Sequence, residues 1–442
     1  MPGWLGRILV ALVLTQAATF LARPVTSYRA LALGADERVI GLITASFAVI
    51  PLVVALPLGR VADRHRPVGM LAAGVALLAA SFLLLGRAGS LAELALWSAL
   101  LGLGHLALIL AAQSLIAQQS EDRKHDRDFG LMAAAVSLGQ LFGPALGGLV
   151  LSAGAGPDGS LEGATTRAFL VAAGLATLAL PACFGTGAAS RGRDPGAEAG
   201  RPMRATDIVR APGVPAGMFA SVAILAAVDI ITAYLPVIGE RNGIGPAVVG
   251  ALLSLRAAAS ILSRLLIPPM VRSLGRVRLI AVSAAGSALA LAVLPVPDGQ
   301  RALAVVLVVA GFFLGIGQPL TMSLIVQAVP DDARGTALAI RLFGNRVGQV
   351  ATPAVAGLVA GAAGIAAAFW LLGGGCWRWP RPRWHASRGE AQPSAEACLD
   401  QPLWEIEALR RALAPSMWAA MAAMAASRSP RSIASRIGRC SR

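Results

Sequence analysis

Long uncharged stretches alternate with short arginine clusters along this chain, and the stretches are sized for a bilayer rather than for a soluble core. Apolar runs cover about 8–31, 39–58, 68–86, 91–118, 129–153 and 165–184. After a break they cover about 212–238, 246–270, 278–296, 301–327 and 335–361. Each run predicts a membrane-spanning helix, which makes eleven spans. A twelfth starts at about Gly364 and loses its apolar character at Gly375. The pattern divides the chain into a first six-helix bundle (1–184), a Gly-, Ala-, Arg- and Pro-rich cytoplasmic linker (185–211), a second bundle (212–375) and an atypical basic tail (376–442). The first run has no small-residue cleavage site, so it reads as a retained helix rather than a signal peptide.

Composition agrees: 56% hydrophobic residues, 14% charged residues and a mean hydropathy of +0.69 leave too little polar surface for a protein in water. The net charge of +15 does not point to nucleic acid, because the arginines sit in short loops and in the tail, without a basic face beside stacking aromatics. Their distribution sets an orientation instead. Arg60, Arg64 and Arg66, then Arg123, Lys124 and Arg127, then Arg191 to Arg210, then Arg272, Arg276 and Arg278 occupy alternate loops, which are expected to be cytoplasmic. That places the N-terminus inside a plasma or bacterial inner membrane.

Within the fifth run, Gly139 to Gly148 reads GQLFGPALGG. Gly139, Gly143 and Gly147 recur every fourth residue, so a neighbouring helix can approach backbone to backbone, and Pro144 adds a bend. A soluble helix would lose about 1 kcal/mol per glycine relative to alanine, whereas a bilayer leaves the backbone no alternative to its internal hydrogen bonds. The pattern returns at an offset of 209 residues, from Gly139 to Gly348 and from Pro144 to Pro353, with Gln349, Gly357, Leu358 and Val359 matching Gln140, Gly148, Leu149 and Val150. Two copies of one helical unit follow. A simpler reading is a tight helix pair alone.

The motif Gly139, Gly143, Pro144, Gly147, Gly148 resembles the antiporter signature of the major facilitator superfamily, in its drug and metabolite efflux branches. The resemblance covers about residues 1–375. It implies an all-α membrane fold of two six-helix bundles related by a pseudo-twofold axis, with the twelfth helix truncated or altered here. Gly59, Asp63 and Arg64, in the connection from Gly59 to Val68, match part of the superfamily's inter-helix loop signature. Asp63 at a cytoplasmic helix end can meet the positive N-terminus of the eleventh span and so gate the inner side. An ordinary solvated loop is the plainer alternative.

Charges inside spans are costly, about 2.5–3.5 kcal/mol at mid-helix on insertion scales, so each is a functional candidate. The resemblance implies that spans one, four, seven and ten line a central cavity. The candidates are Arg23, Tyr28, His105, Gln113, Asp229, Tyr234, Arg256, Gln318, Arg341 and Asn345, with Arg346 beside them. The offset of 209 places Arg23 opposite Thr232, one turn from Asp229, so Arg23 and Asp229 are expected to pair. In one reading that pair is neutral and Arg256, Arg264 and Arg346 snorkel to water. In the other, surplus arginines hold an anionic substrate. Few aromatics argue against a cage for cationic drugs.

Proton coupling needs an acid or base of movable pKa, with Asp229 first and His105 second. The expected activity is proton-driven efflux of a small metabolite or drug by alternating access. Alternatives are proton-coupled uptake of an organic anion, or a non-transporting or defective relative. An enzyme is not expected: no nucleophile, base and orienter recur at catalytic spacing, and the phosphate-cradling lysine loop is absent. No cofactor, metal or nucleic-acid partner is expected, and a monomer is. Cys183 lies in an apolar run and Cys376, Cys398 and Cys440 in the tail, with no metal or disulfide spacing. The tail also holds Trp377, Trp379, Trp384, Trp404 and Trp418. It reads either as a shifted frame, which resequencing decides, or as a disordered basic tail with an amphipathic piece near Leu413–Ala426.

Overall fold

The computed structural model describes residues 3–64, 67–121, 124–153, 160–184, 186, 205–211, 214–297, 299–327, 329 and 334–377. Among them the first bundle comprises α1 (Gly3–Ala32), α2 (Glu37–Arg64), α3 (Pro67–Arg87), α4 (Leu91–Gln119), α5 (His125–Ala153) and α6 (Leu161–Cys183). A short α7 (Ala205–Arg210) precedes the second bundle. That bundle comprises α8 (Val214–Arg241), α9 (Pro246–Leu274), α10 (Arg276–Val293), α11 (Gln300–Gln327), α12 (Arg334–Ala363) and α13 (Ile365–Trp377).

Nine of the described helices are long and apolar enough to cross a membrane on their own, fewer than the eleven expected. The stretches expected to make the other two spans, α10 and α12, are helical as well, the first apolar over Arg278–Val293 and the second carrying Arg341, Asn345, Arg346 and Gln349. Large apolar side chains such as Val53 (74% exposed) and Leu265 (71%) point outward, where a soluble protein would place charges. Two further expectations change. The linker contains α7, and Gly59, Asp63 and Arg64 ride on the last turns of α2 rather than in a loop. The side chains of Asp63 and Arg64 lie outside the described residues, as do most of the linker and the tail from residue 378.

The offset of 209 read from the glycine motif recurs in the turns. After α1, the Ala35 N–H donates to the Ala30 carbonyl (2.9 Å) past Gly34 at φ +78°. After α8, the Ile244 N–H donates to the Gly239 carbonyl (2.7 Å) past Gly243 at φ +66°. Both satisfy last-turn carbonyls through one left-handed residue, which glycine adopts without strain.

Within the first bundle, α5 lies on α1 through the predicted glycine face. A Cβ on Gly143 would stand 2.6 Å from the Ala17 oxygen and 2.9 Å from the Leu21 nitrogen, and one on Gly147 3.2 Å from Leu21, so side chains there would force the helices apart. Gly139 likewise abuts Gln16 and Ala17. Gly348 repeats this placement in the second bundle, against Val222 of α8. One clasp was not anticipated. Arg29, 3% exposed, donates to the Ala88 carbonyl (2.7 Å) and the Glu162 carbonyl (2.9 Å) and pairs with the Glu162 carboxylate, tying α1 to the α3–α4 turn and α6.

Candidate substrate cavity

The two bundles touch along α2–α12, α5–α9 and α1–α8. In the first two seams, four glycines bring backbones together. A Cβ on Gly41 would stand 2.6 Å from the Gly357 Cα, and one on Gly357 3.0 Å from the Gly41 Cα. Across the molecule, a Cβ on Gly148 would stand 3.1 Å from the Gly250 Cα, and one on Gly250 3.0 Å from the Gly148 Cα. The two pairs map onto each other at 209 residues, Gly41 to Gly250 and Gly148 to Gly357. Pro144 and Pro353, the prolines of the two motif copies, each present a carbonyl to the facing glycine.

All four glycines lie towards the end of the molecule where α1 finishes and α2 begins. Polar contacts fasten the same end: the Tyr234 hydroxyl donates to the Glu37 carbonyl (2.8 Å), Arg241 pairs with the Glu37 carboxylate, and the Arg38 guanidinium donates to the Gly361 carbonyl (3.3 Å). The Ala145 N–H donates to Ser254 (3.1 Å) and the Ala247 N–H to Ser152 (3.0 Å). Tyr234, expected in the cavity, is therefore part of this closure.

Deeper in, a polar chain crosses from one bundle to the other. Arg23 Nη1 stands 2.8 Å from Asp229 Oδ1, and its guanidinium carbon lies 4.7 Å over the Phe47 ring. The second Asp229 oxygen accepts from Gln349 Nε2 (3.1 Å), whose Oε1 accepts from Arg346 (2.8 Å). On the other flank the Phe47 ring lies 5.7 Å from that of His105, which shares a hydrogen bond with the Gln16 amide at 3.2 Å. Between the Arg23–Asp229 pair and the closed end remains a cavity of about 30 Å³, room for about one water, lined by Ser27, Thr44, Ser98 and Thr232 among others.

The other candidates separate. Arg256 is 5% exposed and makes no hydrogen bond or ion pair with a described residue, so it does not snorkel; Arg264 donates to Ser137 at 3.3 Å. Arg341 and Asn345, both 7% exposed and one turn apart on α12, keep Nε and Oδ1 without described partners. Tyr28 is buried in the first bundle with its hydroxyl likewise unmet, Gln113 is exposed, and the Gln318 side chain lies outside the described residues. Gln349 and Phe47 were not picked out as site residues. Gln349 carried a signal, as a polar residue in a span beside the repeated glycine, whereas Phe47 carried none.

The model of the Major Facilitator Superfamily matches residues 8–245 and 217–427, the second match running past the composition break at Gly375. No curated protein matches by sequence. Among solved structures, a mutant form of the nucleoside transporter NupG is similar with a TM-score of 0.69 at 15% identity, over 84% of this chain and 97% of that one. A D-xylose-proton symporter gives a TM-score of 0.66 at 15% identity, over 85% and 97% of the two chains. A bacterial homolog of the human lysosomal transporter Spinster, inward-facing and unoccupied, gives 0.65 at 17% identity, over 82% and 84%. At these identities the likeness is one of fold.

Proposed function

The chain belongs to the major facilitator superfamily, and from that premise we propose that it is a proton-coupled exporter of a small metabolite or xenobiotic, working by alternating access. The observation that carries the reading is where the bundles meet. The four glycines, the Glu37 contacts and the Arg38–Gly361 bond lie towards one end, and the Arg23–Asp229 pair spans the interface further in. A substrate bound beside that pair is sealed from that end by the contacts of the described residues. Opening must pull apart the α2–α12 and α5–α9 seams, and backbone-to-backbone packing favours a two-position device, since bare glycine surfaces part without repacking side chains.

The arginine-rich loops support a closed end that faces outside, and on that reading this is the inward-facing state. Asp63 at the end of α2 then becomes the inner latch, facing the start of α12 when the cytoplasmic side shuts. Asp229 is the proton site. Its two oxygens are engaged by Arg23 and Gln349, and loss of the ion pair on protonation would release Arg23 and loosen the α1–α8 contact that links the bundles.

Vesicle counterflow under imposed pH gradients tests this proposal. Acceleration by a proton gradient opposed to substrate movement supports export, and acceleration by an aligned gradient overturns it in favour of uptake.

A further inference from the structure

Three guanidiniums of the second bundle form no ion pair with a described acid. Arg346 spends its described hydrogen bond on the neutral amide of Gln349, and Arg256 and Arg341 are paired with no carboxylate. Asp229, the acid beside them, is already engaged by Arg23 and by Gln349. Arg256 is the most informative of them. It is 5% exposed, its Nε meets no acceptor among the described residues, and it lies within Coulombic reach of Arg264, Asp229 and Arg23. Arg346 shares that neighbourhood. The repeat gives its address independently: an offset of 209 maps Arg256 of α9 onto Phe47 of α2, the ring that stacks under Arg23 and lines the cavity beside it. A desolvated cation without a counter-ion is expensive to keep and is retained where a ligand supplies the missing charge.

We propose that Arg256 and Arg346 form an oxyanion clamp, so that the transported substrate is a small organic anion bearing a carboxylate or a phosphate. The inference deepens the transport reading above and rests on it for the word substrate, although binding stands alone. The anion's oxygens take the fork of Arg256 and draw Arg346 away from Gln349. Gln349 in turn donates to the second Asp229 oxygen, so the anion's arrival disturbs a contact of the proposed proton site.

The test is thermal unfolding of the full chain in detergent with four probes of one skeleton: hexanoate, hexyl phosphate, hexylammonium and hexanol. The wild type is expected to be stabilised by hexanoate or hexyl phosphate and not by the other two; which of the two acts tells carboxylate from phosphate. Arg256→Gln is expected to weaken that binding at least about tenfold, as for loss of a charge-assisted contact, with Arg256→Lys intermediate. Without probe, Arg256→Gln is expected to unfold at a higher temperature than the wild type, because an uncompensated buried charge is removed. Arg346→Gln, whose described bond is to an amide, provides a second arm that does not depend on Arg256.

Preference for hexylammonium or hexanol, no response to any probe, or a lower unfolding temperature for Arg256→Gln would each overturn the proposal. Its fate is separable from that of the transport reading. Proton-driven export of a neutral or cationic compound would sink the clamp alone, and anion binding through Arg256 without vesicle transport would sink the transport reading alone.

Discussion

Arg23 on α1 and Asp229 on α8 meet at 2.8 Å across the boundary between two bundles, with Asp229 almost wholly buried. Such a pair contributes little net stability, but breaking it strands a charge, which typically costs about 3–5 kcal/mol. Arg23→Gln and Asp229→Asn are therefore each expected to lower the unfolding temperature, and the double variant to recover most of the loss. Proton-driven transport should fail in Asp229→Asn and in the double variant alike. A double variant as unstable as the sum of the singles would show that the two side chains act independently.

The glycines of α5 divide by what they face, and their variants should divide likewise. Gly139 and Gly143 pack on α1 within one bundle, so Gly143→Leu is expected to abolish folded protein. Gly148 packs on α9 of the other bundle, so Gly148→Leu is expected to fold but fail to close. Labelling of a cysteine placed at Ser27, in the small cavity behind the gate, by an impermeant thiol reagent added outside reads the difference. Increased labelling in Gly148→Leu is expected; unchanged labelling would mean that the seam is not a gate.

Arg29 predicts the opposite profile. Its guanidinium serves two carbonyls and one carboxylate inside the first bundle and makes no hydrogen bond or ion pair with a described residue of the second. Arg29→Met should cost about 2–3 kcal/mol, the size expected for orphaned acceptors at a charged donor, while KM for any substrate stays unchanged. A shifted KM would place Arg29 in the transport pathway.

The Glu37–Arg241 pair sits at the rim of the closed end, with Arg241 more than half exposed. Water and salt screen such a pair, so Glu37→Gln is expected to leave the unfolding temperature almost unchanged. It should nevertheless favour the open gate and raise thiol labelling at Ser27. Reversal by the exchange Glu37→Arg with Arg241→Glu would assign the effect to the pair; failure of the exchange would assign it to the local helix end.

Much of this architecture was legible because lipid leaves few choices: a spanning segment must be a helix, and helices that touch must be small where they do. The four-residue glycine spacing located the Gly139 face, and the offset of 209 its copy at Gly348; through Thr232 the same offset brings Arg23 to within a turn of Asp229 in the sequence alone. What escaped was the division of labour among glycines four residues apart or fewer. Gly147 and Gly148 are adjacent in sequence, yet one faces its own bundle and the other the opposite one, a matter of helix rotation that spacing alone leaves undetermined. Tyr234 was assigned to the cavity for its chemistry, but its hydroxyl is spent on the Glu37 carbonyl at the gate. Arg29 escaped because a guanidinium near a span's end is ordinarily expected to reach water, whereas this one is folded onto carbonyls of two neighbouring connections.

Alternating access requires that the seams at Gly41–Gly357 and Gly148–Gly250 open and close as the bundles rock. Spin labels at Asp36 and Ala362, exposed positions at the closed end of α2 and α12, measure it by pulsed dipolar spectroscopy in a background without the four native cysteines. A short separation is expected for the resting protein, with a second, longer one that becomes dominant in Gly41→Leu, where a side chain meets the Gly357 backbone. A single separation, identical in both proteins and insensitive to pH, would contradict it.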